Sequence, residues 1–175
     1  MLHLVRHGRS LPEPGLMSSA WELDPAGFDD IWRLRESGRL PEEARWFTSP
    51  ESKAIATAQL LTDRPVGIVE GLREHVRETS DWIEDFEAVV RRAFADPERS
   101  AYPGWEPLAT ARERVVTTAR LLLTEHPGED LVLIGHGTAW TVLAAELGGV
   151  EPDLDRWASL GMPDVIAVDP VVESP

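Results

Sequence analysis

The sequence has no cysteine, a single lysine and no apolar run long enough to cross a membrane. Without cysteine the chain can form no disulfide, thiolate metal site or cysteine nucleophile. A membrane helix needs roughly 20 predominantly apolar residues, so no spanning segment is predicted. The chain begins directly with a short strand-like run and shows no secretory leader, which predicts a cytoplasmic protein.

Positive charge is also scarce. The chain carries 17 Lys and Arg residues against 31 Asp and Glu residues, a formal net charge of −14. Nucleic acid and anionic lipid both bind to basic surfaces, so neither is predicted as a partner. A small anionic substrate would need a local cluster of cations within an otherwise acidic molecule.

Strand-like and helix-like segments alternate along the chain. Strands are predicted at Leu2–Val5, Arg45–Thr48, Val66–Val69, Leu131–Ile134 and Val165–Val168, and helices at Asp24–Ser37, Ser49–Leu61, Asp81–Phe94, Pro107–Glu125 and Thr138–Leu147. This alternation predicts an α/β three-layer sandwich, a mostly parallel central sheet with helices on both faces. With 175 residues, no repeat and no linker, the chain is predicted to form a single domain over 1–175.

Two of the predicted strands end in the same way. Leu4-Val5 leads into Arg6-His7-Gly8, and Leu133-Ile134 leads into Gly135-His136-Gly137. Ligands bind at the carboxyl ends of parallel strands, so both histidines are expected at one edge of the sheet. Each is followed by glycine, which lets the backbone turn sharply and approach a ligand closely.

The ordered set of motifs resembles the histidine phosphatase superfamily, the phosphoglycerate-mutase-like enzymes. The most specific stretch is Leu4 through Ser10. The segments Thr48 through Ala58, Leu72-Arg73-Glu74, Glu106 through Val115 and the second His-Gly follow in the family's order. The resemblance covers nearly the whole chain and implies a phosphomonoester hydrolase that acts through a phosphohistidine intermediate.

The resemblance also implies roles for individual residues. His7 is the nucleophile, carrying a phosphoryl group that water then removes. Arg6 binds phosphate oxygens with its planar fork, and His136 donates to a further oxygen as charge develops in transfer. The phosphate-binding set is Arg6, Ser10, Lys53, His136 and Gly137. No metal or other cofactor is required by this scheme.

More than one residue is a candidate for the proton donor to the leaving group. Glu74 is the candidate general acid. Glu78 lies four residues further on and could exchange roles with it, and Asp81 is a third choice.

Three positions depart from the family pattern. Lys53 stands where arginine is usual, and we expect it to reach the phosphate with weaker orientation, because lysine lacks the bidentate fork. Glu13 stands near a usual asparagine and is expected to point away from the substrate, unless the loop is rearranged. Gly135 replaces a usual serine or threonine, which indicates a small change in the support of His136.

The main hypothesis is a cofactor-independent phosphatase for a small phosphorylated metabolite or a broad range of esters. One alternative is a phosphate-recognising binding or regulatory module with weak or no catalysis. Another is a phosphoglycerate-type mutase, disfavoured because the middle region is short.

His3 and His7 lie four apart on a strand and are not predicted to bind metal. His75 and His126 are expected at the surface, although His75 adjoins the candidate acid and could line the mouth of a pocket. Trp82 and Trp105 are expected either in the core or in a pocket wall.

Overall fold

A computed structural model describes residues 1–170; the last five residues of the predicted domain lie outside the described residues. The strands are β1 (Leu2–Arg6), β2 (Ser10–Leu11), β3 (Glu22–Leu23), β4 (Arg45–Thr48), β5 (Val66–Ile68), β6 (Leu131–Gly135) and β7 (Asp164–Val168). The helices are α1 (Phe28–Glu36), α2 (Ser52–Leu61), α3 (Phe86–Ala95), α4 (Leu108–Glu125), α5 (Gly137–Gly148) and α6 (Leu154–Ser159). Within the described range, every helix is too short or too polar to cross a membrane.

Five strands form one sheet in the order β5-β4-β6-β1-β7, and β2 pairs with β3 in a separate ribbon. Neighbours among β5, β4, β6 and β1 run parallel, and β7 pairs antiparallel with β1 at one edge. Arg6 of β1 stands opposite Gly135 of β6. His7 and His136 therefore leave neighbouring strands at the same edge of the sheet, and the predicted mostly parallel sheet is confirmed.

Alternate residues of β6 face two separate apolar cores. Leu131 and Leu133 pack with residues of α4 and α5 in one core. Val132 and Ile134 pack with residues of α1 and α2 in the other. A strand buried on both faces is a continuous apolar run in sequence, which is how β6 was recognisable. Helices cover both faces of the sheet, as the predicted three-layer sandwich requires.

Three predicted helices begin later than expected. The Asp24 side chain accepts a hydrogen bond from the backbone N–H of Ala26 and caps a 3₁₀ turn, so α1 starts only at Phe28. The helix expected from Ser49 starts at Ser52. The helix expected from Asp81 starts at Phe86, where the Asp85 side chain accepts from the N–H of Ala88. Residues 73–85 are therefore a loop, and this loop forms one wall of the cavity described next.

Candidate active site

A cavity of about 790 Å³ opens beside the carboxyl ends of β1, β4 and β6. Its lining includes the predicted site residues Arg6, His7, Ser10, Lys53, Glu74, His136 and Gly137, together with both alternative acids, Glu78 and Asp81. The loops around residues 12–19 and 73–83 form much of its wall. The fold thus brings the whole predicted set into one cavity.

The two histidines lie edge to face, with ring centroids 5.3 Å apart. Both side chains are buried. The Nδ1 of His7 lies 2.7 Å from the carbonyl oxygen of Gly8. A carbonyl oxygen can only accept, so Nδ1 carries the proton and Nε2 keeps its lone pair.

Both imidazoles are held in their neutral form. Burial lowers the pKa of His7 to about 3, and the charges of His136 and Lys53 act in the same direction. Burial also lowers the pKa of His136 to about 3; Glu74 opposes this shift, and Lys53 reinforces it. A histidine that acts as a nucleophile must be uncharged, and His7 meets that requirement near pH 7.

His136 is oriented by side chains from another strand end. Its Nε2 lies 2.8 Å from the hydroxyl oxygen of Ser49, directly after β4. The same nitrogen lies 3.4 Å from a carboxylate oxygen of Glu51. Neither residue was predicted as part of the site, because a Ser and a Glu before a helix look like ordinary helix-start residues.

Gly135 makes room for a buried tryptophan. A Cβ at this position would lie 2.5 Å from Cζ2 of Trp140. The indole Nε1 of Trp140 donates a 2.8 Å hydrogen bond to the carbonyl of Val5, at the end of β1. The departure at Gly135 is therefore coupled to Trp140, which links the two strand ends that carry the histidines.

Lys53 is buried and already paired. Its Nζ lies 2.8 Å from a carboxylate oxygen of Glu51, and the two side chains are 5% and 4% exposed. It also donates to the carbonyl of Ser18. Lys53 lines the cavity, but Glu51 balances its charge. Lys53 therefore presents less positive charge to the cavity than an unpaired lysine or arginine would.

Both carboxylate oxygens of Glu74 accept backbone hydrogen bonds. One accepts from the N–H groups of His75 and Ala139, each at 2.9 Å, and the other from Thr138 at 3.2 Å. Burial favours its protonated form, yet Arg77, His136 and these N–H donors lower the pKa of Glu74 to about 2. In the ligand-free site Glu74 is thus an anion at the N-terminus of α5, where the helix dipole favours negative charge.

Arg77 is a further residue of the cavity that was not predicted from the sequence. Its guanidinium lies 4.8 Å from the ring centre of Phe86 and 4.6 Å from that of Trp105. Its Nη2 donates a 2.9 Å hydrogen bond to the hydroxyl of Thr138. In sequence Arg77 stands among alternating charges in a loop, a context typical of a solvated surface residue.

The two alternative acids and Glu13 lie closer to the solvent than Glu74 does. Glu78, Asp81 and Glu13 are all exposed and line the cavity. The Asp81 carboxylate accepts a hydrogen bond from the Tyr102 hydroxyl at 3.1 Å.

Two predictions about aromatic residues are now decided. The surface position predicted for His75 is wrong: its side chain is buried, and its Nε2 lies 2.7 Å from the carbonyl of Glu106. His75 does line the cavity, which was the alternative position for it. His126 is partly buried against Phe47. Trp105 is buried, whereas Trp82 is 69% exposed beside Trp21, and all three line the cavity.

Among residues 1–170, no group of three His, Asp or Glu side chains is arranged to hold a metal ion.

The sequence matches the family model of the histidine phosphatase superfamily, branch 1, over residues 2–169. Among curated protein sequences, none is significantly similar to this chain.

Solved structures share the fold at low sequence identity. YhfR of Bacillus stearothermophilus is 23% identical with a TM-score of 0.71, covering 98% of this chain and 95% of its own. Phosphoserine phosphatase of Entamoeba histolytica is 18% identical with a TM-score of 0.68, over 95% and 94% of the two chains. The alpha-ribazole phosphatase of Shigella flexneri is 20% identical with a TM-score of 0.71, over 96% and 90%. At these identities the likeness establishes the fold.

Proposed function

The chain belongs to the histidine phosphatase superfamily, branch 1, and on that basis we propose that it hydrolyses phosphomonoesters through a phosphohistidine on His7. One observation carries the proposal. His7 is buried and neutral, with Nδ1 bound to the Gly8 carbonyl, so its free Nε2 lies in a cavity shared with Arg6 and His136. This arrangement is what nucleophilic attack on a phosphoryl group requires.

The reaction has two displacement steps. The Nε2 lone pair of His7 attacks phosphorus, an N–P bond forms, and the bond from phosphorus to the ester oxygen breaks. Arg6 and His136 stabilise the charge on the phosphoryl oxygens, with Ser10, Lys53 and the backbone at Gly137 as further donors. Water then attacks phosphorus, the N–P bond breaks, and inorganic phosphate leaves. The proton that water loses returns to the carboxylate that protonated the leaving oxygen, and His7 regains its lone pair.

Glu74 is the proposed proton donor to the leaving oxygen, with Glu78 and Asp81 as the alternatives at the exposed part of the cavity. With a pKa of about 2, Glu74 is ionised in the ligand-free site. It can act as an acid only if the bound phosphate dianion raises that pKa, since a second anion favours the neutral carboxyl. Esters that release a stable anion need no donor, so aryl phosphates should be hydrolysed faster than alkyl phosphates.

The proposed substrate is a small phosphorylated metabolite, or a broad set of such esters. Two of the structural relatives are named for phosphoserine and alpha-ribazole phosphate, both small phosphorylated molecules. A cavity of about 790 Å³ is large enough for a ligand of this size. The scheme uses no metal or cofactor, and a chain without disulfides fits a cytoplasmic location.

The test is hydrolysis of 4-nitrophenyl phosphate with EDTA present, by the wild type, His7→Ala and the control His126→Ala. We expect turnover in the wild type and in His126→Ala and none above background in His7→Ala. Equal turnover in the wild type and His7→Ala would overturn the mechanism. Activity that disappears with EDTA would overturn the metal-independent scheme.

A phosphate-binding module with little catalysis is the second candidate, and the charge balance at the site favours it. Glu51 offsets the charge of Lys53, and Glu74 is tied to three backbone N–H groups. Inorganic phosphate that binds without any ester turnover would support this candidate. A mutase would instead transfer the phosphoryl group to an acceptor alcohol in preference to water.

A further inference from the structure

Two guanidinium groups flank the start of α5, directly after His136. A Cβ added to Gly137 would lie 3.4 Å from Nε of Arg6. The next residue, Thr138, accepts a hydrogen bond from Nη2 of Arg77. Arg6 and Arg77 therefore contact consecutive residues, although they come from β1 and from the loop over 73–85.

Each of these guanidinium groups keeps an unused donor inside the protein. The Nε atoms of Arg6 and Arg77 are both buried and have no hydrogen-bond partner in the described part of the chain. A buried donor without a partner is costly unless a ligand satisfies it. Within residues 1–170, moreover, neither arginine forms an ion pair, whereas Arg9, Arg73 and Arg114 each do.

Arg77 also changes the local balance of charge. Without it, the charges of Arg6 and Lys53 would be offset by those of Glu51 and Glu74. A phosphate dianion would then meet no excess of positive charge among these four groups. Arg77 restores an excess cation, and it raises the acidity of Glu74 more than any other side-chain charge does.

The aromatic contacts fix the orientation of this cation. Phe86 and Trp105 lie against the Arg77 guanidinium, and the hydroxyl of Thr138 holds its Nη2. A stacked, hydrogen-bonded guanidinium is already positioned before substrate binds, which lowers the entropy cost of using it.

We propose that Arg77 binds the transferring phosphoryl group, supplying a second cation beside Arg6, because the ammonium group of Lys53 is paired with Glu51. This inference rests on the proposed phosphatase function. The free Nε–H groups of Arg6 and Arg77 would donate to non-bridging oxygens, where charge is held during transfer. Arg77 is then a catalytic residue, contributed by the loop over residues 73–85 that forms one wall of the cavity.

The test compares Arg77→Gln, Arg77→Lys and the control Arg73→Gln, whose arginine also lines the cavity but pairs with Glu70. The readouts are kcat/KM for 4-nitrophenyl phosphate and the dissociation constant of inorganic phosphate. We expect Arg77→Gln to lose about 10²–10³-fold in kcat/KM and to bind phosphate more weakly. Arg77→Lys should recover part of the loss, and Arg73→Gln should stay close to the wild type.

Chemical rescue by free guanidinium distinguishes a direct role of Arg77 in binding the phosphoryl group from a purely structural role. Millimolar guanidinium added to Arg77→Ala should restore turnover, whereas it should not change the activity of Arg73→Gln. Melting temperatures establish that each variant is folded, and Arg77→Lys keeps the aliphatic stem if Arg77→Gln is unstable. Folded variants that keep wild-type phosphate affinity and turnover would overturn the role of Arg77 and leave the phosphatase function standing.

If the chain is not a phosphatase, the same measurements give a different set of results. If the wild type binds inorganic phosphate without turning over any ester, the phosphate affinities alone decide the role of Arg77. Weaker binding in Arg77→Gln than in Arg73→Gln would then still support it. A wild type that neither binds phosphate nor hydrolyses an ester would overturn both inferences.

Discussion

The two strand ends that carry histidine are similar in sequence and different in their contacts. β1 is followed directly by His7-Gly8 and β6 by His136-Gly137, and the strands are neighbours in the sheet. The His7 ring is oriented by the main chain, through the carbonyl of the next residue. The His136 ring is oriented by the Ser49 hydroxyl, from the end of a third strand. The orientation of the His7 ring therefore depends little on other side chains, whereas that of the His136 ring depends on a side chain that substitution can remove.

Replacing each histidine with alanine is the strongest test of this difference. We expect His7→Ala to abolish turnover and phosphoenzyme formation, because His7 is the proposed source of the attacking lone pair. His136→Ala should lower kcat by about 10²–10³-fold, the usual effect of losing one donor to the transition state. Two measurements distinguish the variants: the turnover of an aryl phosphate and the trapping of an acid-labile phosphoprotein. A trapped phosphoprotein in His7→Ala would place the nucleophile elsewhere.

The backbone and the paired histidines could be predicted from sequence because local signals determine them. β6 is a continuous apolar run, and the strand–His–Gly pattern occurs twice. Parallel pairing of β1 with β6 then brings His7 and His136 together without further information. Their proposed roles still await the experiments above.

Glu51 and Arg77 could not be predicted as site residues, because their roles depend on tertiary contacts. Glu51 precedes a helix, where an acidic residue is favourable for local reasons alone. Arg77 lies in a segment predicted to be near a helix start, and its aromatic neighbours are 9 and 28 residues away in sequence. Only the packed loop shows that it is held inside the cavity.

Glycine substitutions next to the histidines should also separate the two strand ends. A Cβ at Gly8 would lie 2.5 Å from the terminal Cδ1 of Ile31, which can rotate away in part. A Cβ at Gly135 would lie 2.5 Å from the rigid ring of Trp140, which is hydrogen-bonded to Val5. Overpacking of this kind costs about 1–3 kcal/mol, and we expect Gly135→Ala to lie at the upper end.

Urea unfolding measures this effect, and Trp140→Phe provides the matched control. In the background of Trp140→Phe, which removes the ring atoms that clash, Gly135→Ala should cost much less. The cost of Gly8→Ala should be the same in both backgrounds. A Gly135→Ala variant as stable as the wild type would show that Trp140 does not limit the space at this position.

Removal of the Ser49 hydroxyl should have a smaller effect, confined to His136. Losing a hydrogen bond to a buried group costs about 1–3 kcal/mol, so Ser49→Ala should lower kcat by roughly tenfold or more. Ser52→Ala, three residues further along, is the control and should keep wild-type kcat. His7 has no corresponding side-chain variant, because its partner is a main-chain carbonyl. Unchanged kcat in Ser49→Ala would mean that packing alone orients His136.

The pH dependence of stability should be the property that the two histidines share. Burial lowers the pKa of both from 6.5 to about 3, so the unfolded chain binds more protons than the folded protein between these values. As far as these two groups determine it, the free energy of unfolding therefore has its full value above pH 6.5. It falls as the pH decreases further, by at most about 1.4 kcal/mol per pH unit for each histidine. Glu74, whose pKa falls from 4.5 to about 2, adds to this loss only below about pH 4.5.

Urea unfolding between pH 5.0 and 6.5 thus isolates the histidines from Glu74. We expect His7→Gln and His136→Gln each to flatten the slope of unfolding free energy against pH by a similar amount. A variant that flattens the slope while its partner does not would show that only one of the two imidazoles is buried in its neutral form. Equal flattening with unequal losses of kcat would show instead that the two strand ends share an electrostatic environment and differ only in chemistry.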